Sequence, residues 1–292
     1  MPDIHNIRAI GPVVLDSEPT LPSHAVRLED LEKVDLKIQL ADGESAVDKT
    51  NTTSLMTPSS TYAAIQSHKI TESVVFSVGP SHELKSISDA FSVCSELTQT
   101  YKKTSPHIVL ELENNFILNE QVILDHGVNL SNVSIRCNTT VVINRSALTT
   151  EVEGYYPAFT SIHFAKFPRI DAVFVMNTTG TSENRVGFLV SDGACGWINV
   201  EKGFVGAPYG AVVRESSSLV CDNAKLANST RTGLFVSSAS TVSADGVNVS
   251  HAGQYGIHIR GASAVSYEGA ITTNAGVEGV FVEFDVEDYG EY

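Results

Sequence analysis

The sequence predicts an all-β chain wound as a parallel β-helix of about 23 residues per coil. Three observations carry this. The tetrapeptides Gly187-Phe188-Leu189-Val190, Gly210-Ala211-Val212-Val213, Gly233-Leu234-Phe235-Val236, Gly256-Ile257-His258-Ile259 and Gly279-Val280-Phe281-Val282 recur every 23 residues without an insertion, and a fixed period of that length marks a solenoid. Other positions keep the same step: Leu219, Val242 and Val265 form one column, Ala224, Val247 and Ala270 another, and Asn228, His251 and Asn274 a third. Each unit also holds three short strand-like runs, such as 233–236, 241–244 and 247–249, parted by Ser, Asn and Gly. No unit contains a ten-residue stretch with helical spacing, which excludes helical repeats. The repeated Gly is expected either to take a positive φ or to permit close approach at a corner.

Composition fits this reading. Charged residues make up only 18%, as expected of hydroxyl-rich turns around an apolar core. A net charge of −15 argues against nucleic acid or an anionic membrane as partner. No run of 18 apolar residues offers a membrane helix. The start "MPDIHNIRAIGPVV" lacks the basic and apolar segments of an export signal, so the Asn-x-Ser/Thr sequences at Asn51, Asn138 and Asn177 read as turn chemistry. Cys94, Cys137, Cys195 and Cys221 show no metal-ligand spacing and read as buried thiols; no metal and no cofactor is expected.

Taken in order, residues 1–72 are proline-containing and polar, with no evident core of their own. Within them, "LPSHAVRLEDLEKV" followed by "DKTNTTSLMTPSSTYAAI" resembles the N-terminal attachment regions of bacteriophage tail fibres and tail spikes. The resemblance implies docking on other tail or baseplate proteins, and a place in the virion tail after synthesis in the host cytoplasm. Residues 73–104 read as a capping strand and helix. Ser81 is the expected N-cap, and Leu84, Ile87, Phe91, Cys94, Leu97 and Tyr101 mark one apolar face. Lys102 and Lys103 stand at the expected C-terminal end of this helix, with Pro106 beyond. From 105 onward short strands alternate. The helix-then-coils order resembles the pectate-lyase-like, right-handed parallel β-helices of tail spikes. Residues 145–186 break the period and read as a loop or sheet excursion. The chain closes on "FVEFDVEDYGEY", one strand after the last regular Gly, so a trimer tip, another protein or further chain is expected to close the stack.

Two candidate sites follow from the columns. Residues flanking a strand position share its opposite face. With Phe188, Ala211, Leu234, Ile257 and Val280, and Val190, Val213, Val236, Ile259 and Val282 pointing inward, the column between them points outward: Leu189, Val212, Phe235, His258, Phe281. So apolar a stripe needs a cover. It is expected to lie between the subunits of a homotrimer; the alternative is a loop of the same chain, with 145–186 the nearest source. His258 would be its pH-sensitive member. The second column is Asn199, Asp222, Asp245 and Glu268. Asp222, Asp245 and Glu268, one strand spacing apart, approach the separation of a retaining glycosidase's carboxylate pair, with Tyr267 placed to stack on a sugar. Asp222-Asn223, Asp245-Gly246 and Glu268-Gly269 are equally the chemistry of a tight turn. "GACGW" (193–197) carries the lone Trp and reads as coil core and turn. The expected function is that of a structural and adhesive tail fibre or tail spike contacting host cell-surface polysaccharide. The alternatives are a polysaccharide depolymerase, or an adaptor that holds another fibre protein.

Overall fold

Strands of the regular half form where the 23-residue spacing puts them. The computed structural model describes residues 69–70, 72–99, 107–176 and 184–283; the attachment region expected over 1–72 lies almost wholly outside them. The described chain is a β-solenoid of parallel strands with a single α-helix. A seven-stranded sheet stacks Val122–Leu124, Tyr156–Ser161, Arg185–Val190, Tyr209–Val213, Thr232–Val236, Tyr255–Arg260 and Glu278–Glu283, one strand per turn. An eight-stranded sheet stacks Val74–Val78, Ile108–Leu112, Val133–Arg136, Lys166–Asp171, Cys195–Ile198, Ser218–Val220, Thr241–Ser243 and Ala264–Ser266. The third wall is shorter. Ile117–Leu118, Val141–Ile143, Val173–Val175 and Gly203–Val205 form a four-stranded sheet, which continues only as single bridges from Gly203 through Lys225 and Asn248 to Ile271. The third run expected in each regular coil therefore shrinks to one residue.

Register follows the columns. Phe188 pairs with Ala211, Ala211 with Leu234, Leu234 with Ile257, and Ile257 with Val280. The first four of these side chains are fully buried and Val280 packs partly against the same core. Phe159, Phe167, Phe174, Phe188 and Phe204 fill the early coils with ring centroids 4.8–6.1 Å apart. Each such buried ring contributes roughly 1.5–3 kcal/mol of transfer free energy.

The repeated Gly is required by close approach. A Cβ on Gly210 would lie 2.6 Å from the Gly233 carbonyl and 2.9 Å from Leu226 Cβ, and one on Gly256 would lie 2.4 Å from the Gly279 carbonyl. Positive φ appears instead at the corners. Pairs such as Asp192-Gly193, Glu215-Ser216, Ser238-Ala239 and Gly261-Ala262 turn the chain from the seven-stranded to the eight-stranded sheet, all at φ between 53° and 71°. Asn228, His251 and Asn274 share a second left-handed corner at φ 57–59°.

Three sequence expectations change. The stretch 145–186 holds coil strands in its described residues: Phe159 pairs with Val122 on one side and Phe188 on the other, and Phe174 stacks between Val141 and Phe204. It broke the period because Val122 to Phe159 spans 37 residues and Phe159 to Phe188 spans 29. The helix runs Ile87–Glu96 and is capped by Ser86, whose Oγ accepts from the Asp89 amide at 3.0 Å while the Asp89 carboxylate accepts from the Ser86 amide at 3.1 Å. Ser81 instead donates to Glu113 at 2.7 Å. The helix stops at Glu96 because Thr98–Gln99 leaves to pair with Lys69–Ile70. Its buried face, Ile87, Ala90, Phe91 and Cys94, joins the solenoid core, with Phe91 edge-on to Phe167 at 5.5 Å. Burial pushes the Cys94 thiol up to about 11. Cys137 and Cys221 are buried as expected, but Cys195 is half-buried.

Candidate functional site

The acidic column serves the turns. Asp222 Oδ1 accepts from Ser243 Oγ at 2.7 Å and from the Asp245 amide at 3.0 Å. One coil on, Asp245 Oδ1 accepts from Ser266 Oγ at 2.6 Å and from the Glu268 amide at 2.8 Å. Each carboxylate thus ties its own corner to the next. Asn223, Gly246 and Gly269, the following residues, sit at φ 53°, 66° and 69°. Two charge-assisted hydrogen bonds to each carboxylate explain the acidic residue at Asp222 and at Asp245 without any reaction. Tyr267 is exposed beside Glu268.

The outward stripe divides in two. Leu189 and Val212 are 0% exposed within the single chain, so they offer nothing to another subunit. With Val186 and Tyr209 they form a second small core beneath Val152, Tyr155 and Phe235. The cover is a tight hairpin in the long 37-residue coil: Val152 and Tyr155 exchange both backbone hydrogen bonds around Glu153 and Gly154, at φ 51° and 84°. Tyr155 meets Tyr209 edge-on at 5.6 Å, and Arg214 binds the Glu153 carbonyl at 3.3 Å while pairing with Glu215 at 2.8 Å. The own-chain loop weighed as the alternative cover therefore accounts for this half. Phe235, His258 and Phe281 stay only partly buried, joined by Tyr255, whose ring stacks on Phe281 at 4.8 Å. His258 lies 5.0 Å from both Phe235 and Phe281 and binds Glu283 at 3.0 Å. Its pKa lies below the ordinary histidine value because burial disfavours the cation more than Glu283 favours it.

Two groupings escaped the sequence reading. Trp197, read as coil core, is 40% exposed on the outer face of the eight-stranded sheet. Arg169, its neighbour in register, lays its guanidinium 4.4 Å from the indole centroid. Exposed Lys166 and half-buried Cys195 line the same shallow depression. The second grouping lies at the corner of the early coils. His163 Nδ1 meets Asp125 Oδ1 at 2.5 Å, His126 Nε2 lies 3.4 Å from Asp125 Oδ2, and the two imidazoles stack with centroids 5.7 Å apart. Burial works against the Asp125 carboxylate, yet hydrogen bonds from His163 and the His126 amide hold its pKa below the usual value. The same bond to Asp125 raises His163. No periodic signal could have found either grouping: Arg169 and Trp197 come together 28 residues apart, past a register shift, and His126 and His163 come together across a 37-residue coil.

No known protein family, characterised protein or solved structure matches the chain. Among the described residues no helix is long and apolar enough to cross a membrane.

Proposed function

We propose that the chain is a structural and adhesive component of a phage particle, a homotrimeric tail fibre or tail spike that docks by residues 1–72 and touches host polysaccharide with its β-solenoid. The observation that carries this is the half-exposed aromatic strip Phe235, Tyr255, His258 and Phe281, which begins where the Val152–Tyr155 hairpin ends. Phe235, His258 and Phe281, one coil apart on a parallel sheet, with Tyr255 in the same strand as His258, form a ready surface for a second and third copy of the same strip. The trimer seam is thereby narrowed to Phe235, His258 and Phe281, without Leu189 and Val212. Each strand is hydrogen-bonded above and below, so stacked coils suit a stiff stalk, and the helix Ile87–Glu96 is the plug that shields the core at its N-terminal end. Trp197 offers a stacking face for a sugar ring, and Lys166 and Arg169 supply cations for acidic groups of a surface polysaccharide.

Light scattering on the full chain tests assembly. Three copies per particle are expected, and Phe235→Asp with Phe281→Asp should return single chains; a wild type that stays monomeric at micromolar concentration overturns the trimer. Adhesion is tested on a panel of capsular and O-antigen polysaccharides, where Trp197→Ala should lose binding. The depolymerase reading is tested with Asp245→Asn, since Asn keeps an acceptor for the corner but cannot act as acid or nucleophile. Polysaccharide cleavage by wild type that vanishes in Asp245→Asn would make the chain an enzyme; we expect no cleavage by either.

A further inference from the structure

We propose that Asp125, His126 and His163 form a binding site for a divalent transition-metal cation of the zinc type. It lies at the corner where successive coils pass from the seven-stranded to the eight-stranded sheet. Three corners there are locked in register: the Gly127 amide donates to the His163 carbonyl at 2.9 Å, and the Phe164 amide donates to the Asp192 carbonyl at 2.9 Å. The lock stacks His126, His163 and Asp192 in adjacent coils. The backbone is bent to allow it, with His126, His163 and Phe164 all left-handed at φ 54°, 50° and 62°, a costly choice for side chains of this size.

The donor atoms already converge. One ligand atom from each of Asp125, His126 and His163 lies within 4.8 Å of the other two. Around a tetrahedral zinc with bonds of ~2.1 Å, ligand atoms stand ~3.4 Å apart, so small side-chain rotations close the set. His126 Nε2 and Asp125 Oδ2 are at 3.4 Å as they stand. The donor chemistry is selective: two imidazoles and a carboxylate suit zinc, nickel or copper, and do not form the all-oxygen cage that calcium or magnesium takes. An outer partner is in place as well. With Nδ1 of His163 turned to Asp125, its Nε2 lies 3.4 Å from Asp192 Oδ2. A carboxylate on the far nitrogen fixes the tautomer that leaves Nδ1 free to coordinate, the usual support of a metal-bound histidine. Asp125 and Asp192 together balance the charge of a divalent ion. His126 is largely exposed, so the fourth position is open to water.

Zinc chloride titrated into the full-length chain by calorimetry tests the site, with cobalt as a spectroscopic probe of tetrahedral geometry. A single equivalent per chain is expected. His126→Ala and His163→Ala should each weaken binding at least about ten-fold, and Asp192→Asn about ten-fold through the supporting shell. His251→Ala, at another corner, should change nothing. Thermal unfolding of each variant without metal separates lost ligands from lost fold. Absence of saturable binding by wild type, or binding that survives both histidine substitutions in folded protein, overturns the proposal and leaves the cluster as an ion pair that ties two corners together.

Discussion

At single residues, the solenoid distinguishes two kinds of glycine. Gly210 has an ordinary φ but no room: a methyl group would enter the space of the Gly233 carbonyl and of Leu226. Gly269 has room, with nothing within 4 Å of an added Cβ, but sits at φ 69°. Overpacking against backbone and core costs roughly 1–3 kcal/mol and forces neighbouring coils apart. A left-handed alanine costs about 1–2 kcal/mol and disturbs only its own corner. Gly210→Ala is therefore expected to lower the unfolding midpoint more than Gly269→Ala, and to shift backbone resonances in the coil of Gly233 as well as its own. Thermal unfolding and amide spectra of the two variants check this. An equal effect would mean that the stack yields at Gly210 more easily than its carbonyl contact implies. The acidic column obeys the same logic. Asp222 and Asp245 are acceptors for the next corner before they are anything else, and a carboxylate one strand spacing from another is what such a ladder must produce.

At the level of elements, what could be read in advance was what repeats. The five Gly strands, their inward columns and the alternation along them follow from a period that is constant from Phe188 to Val280. The coil holding Phe159 keeps the same pairing and the same inward aromatics, but its length hides it, because extra residues in a turn move every later column out of step. The hairpin Val152–Tyr155 lies in that extra length, so the sequence offered an own-chain cover for Leu189 and Val212 only as the alternative to a trimer seam. The Asp125–His126–His163 corner was hidden for the same reason. The helix was foreseen from its apolar spacing, yet its start was misplaced by five residues, since Ser81 and Ser86 both look like caps and only Ser86 has an acidic residue at the third helical position. That helix is held by packing more than by its cap. Ser86→Ala is expected to cost about 1 kcal/mol, and Phe91→Ala, which empties a site against Phe167, about 3–5 kcal/mol. Denaturant unfolding of both variants measures the difference; a cap loss as large as the Phe91 loss would mean that the helix barely contributes to the core.

For the described solenoid, strands pair only with adjacent coils, and the Val152–Tyr155 hairpin reaches further, so stability is largely a sum of local interfaces and need not be even along the stack. The coils of Phe159 and Phe188 carry the aromatic interior and the hairpin cover, while the coils of Tyr255 and Phe281 keep a half-exposed outer strip. His258 sits in that strip between Phe235, Tyr255 and Phe281, facing Glu283 and Arg260. Its folded-state pKa is below the ordinary 6.5, so the unfolded chain takes up the proton first as pH falls. Stability from the neutral imidazole is thus complete above about 6.5 and is lost as acidification passes below that value. Burial between three copies would disfavour the cation further, so assembly should weaken in the same direction. Wild type and His258→Gln compared from pH 7.5 to 5.5 should therefore diverge. The wild type should lose more of its unfolding temperature and, at the acidic end, more of the proposed trimer, while Gln, with no proton to gain, should hold both. Hydrogen exchange places the loss: amides of Tyr255–Arg260 and Glu278–Glu283 should open first on acidification, with Tyr156–Ser161 and Arg185–Val190 still protected. If acid opens the early coils instead, the weak point of the solenoid lies away from His258, and the aromatic strip is not the proposed seam.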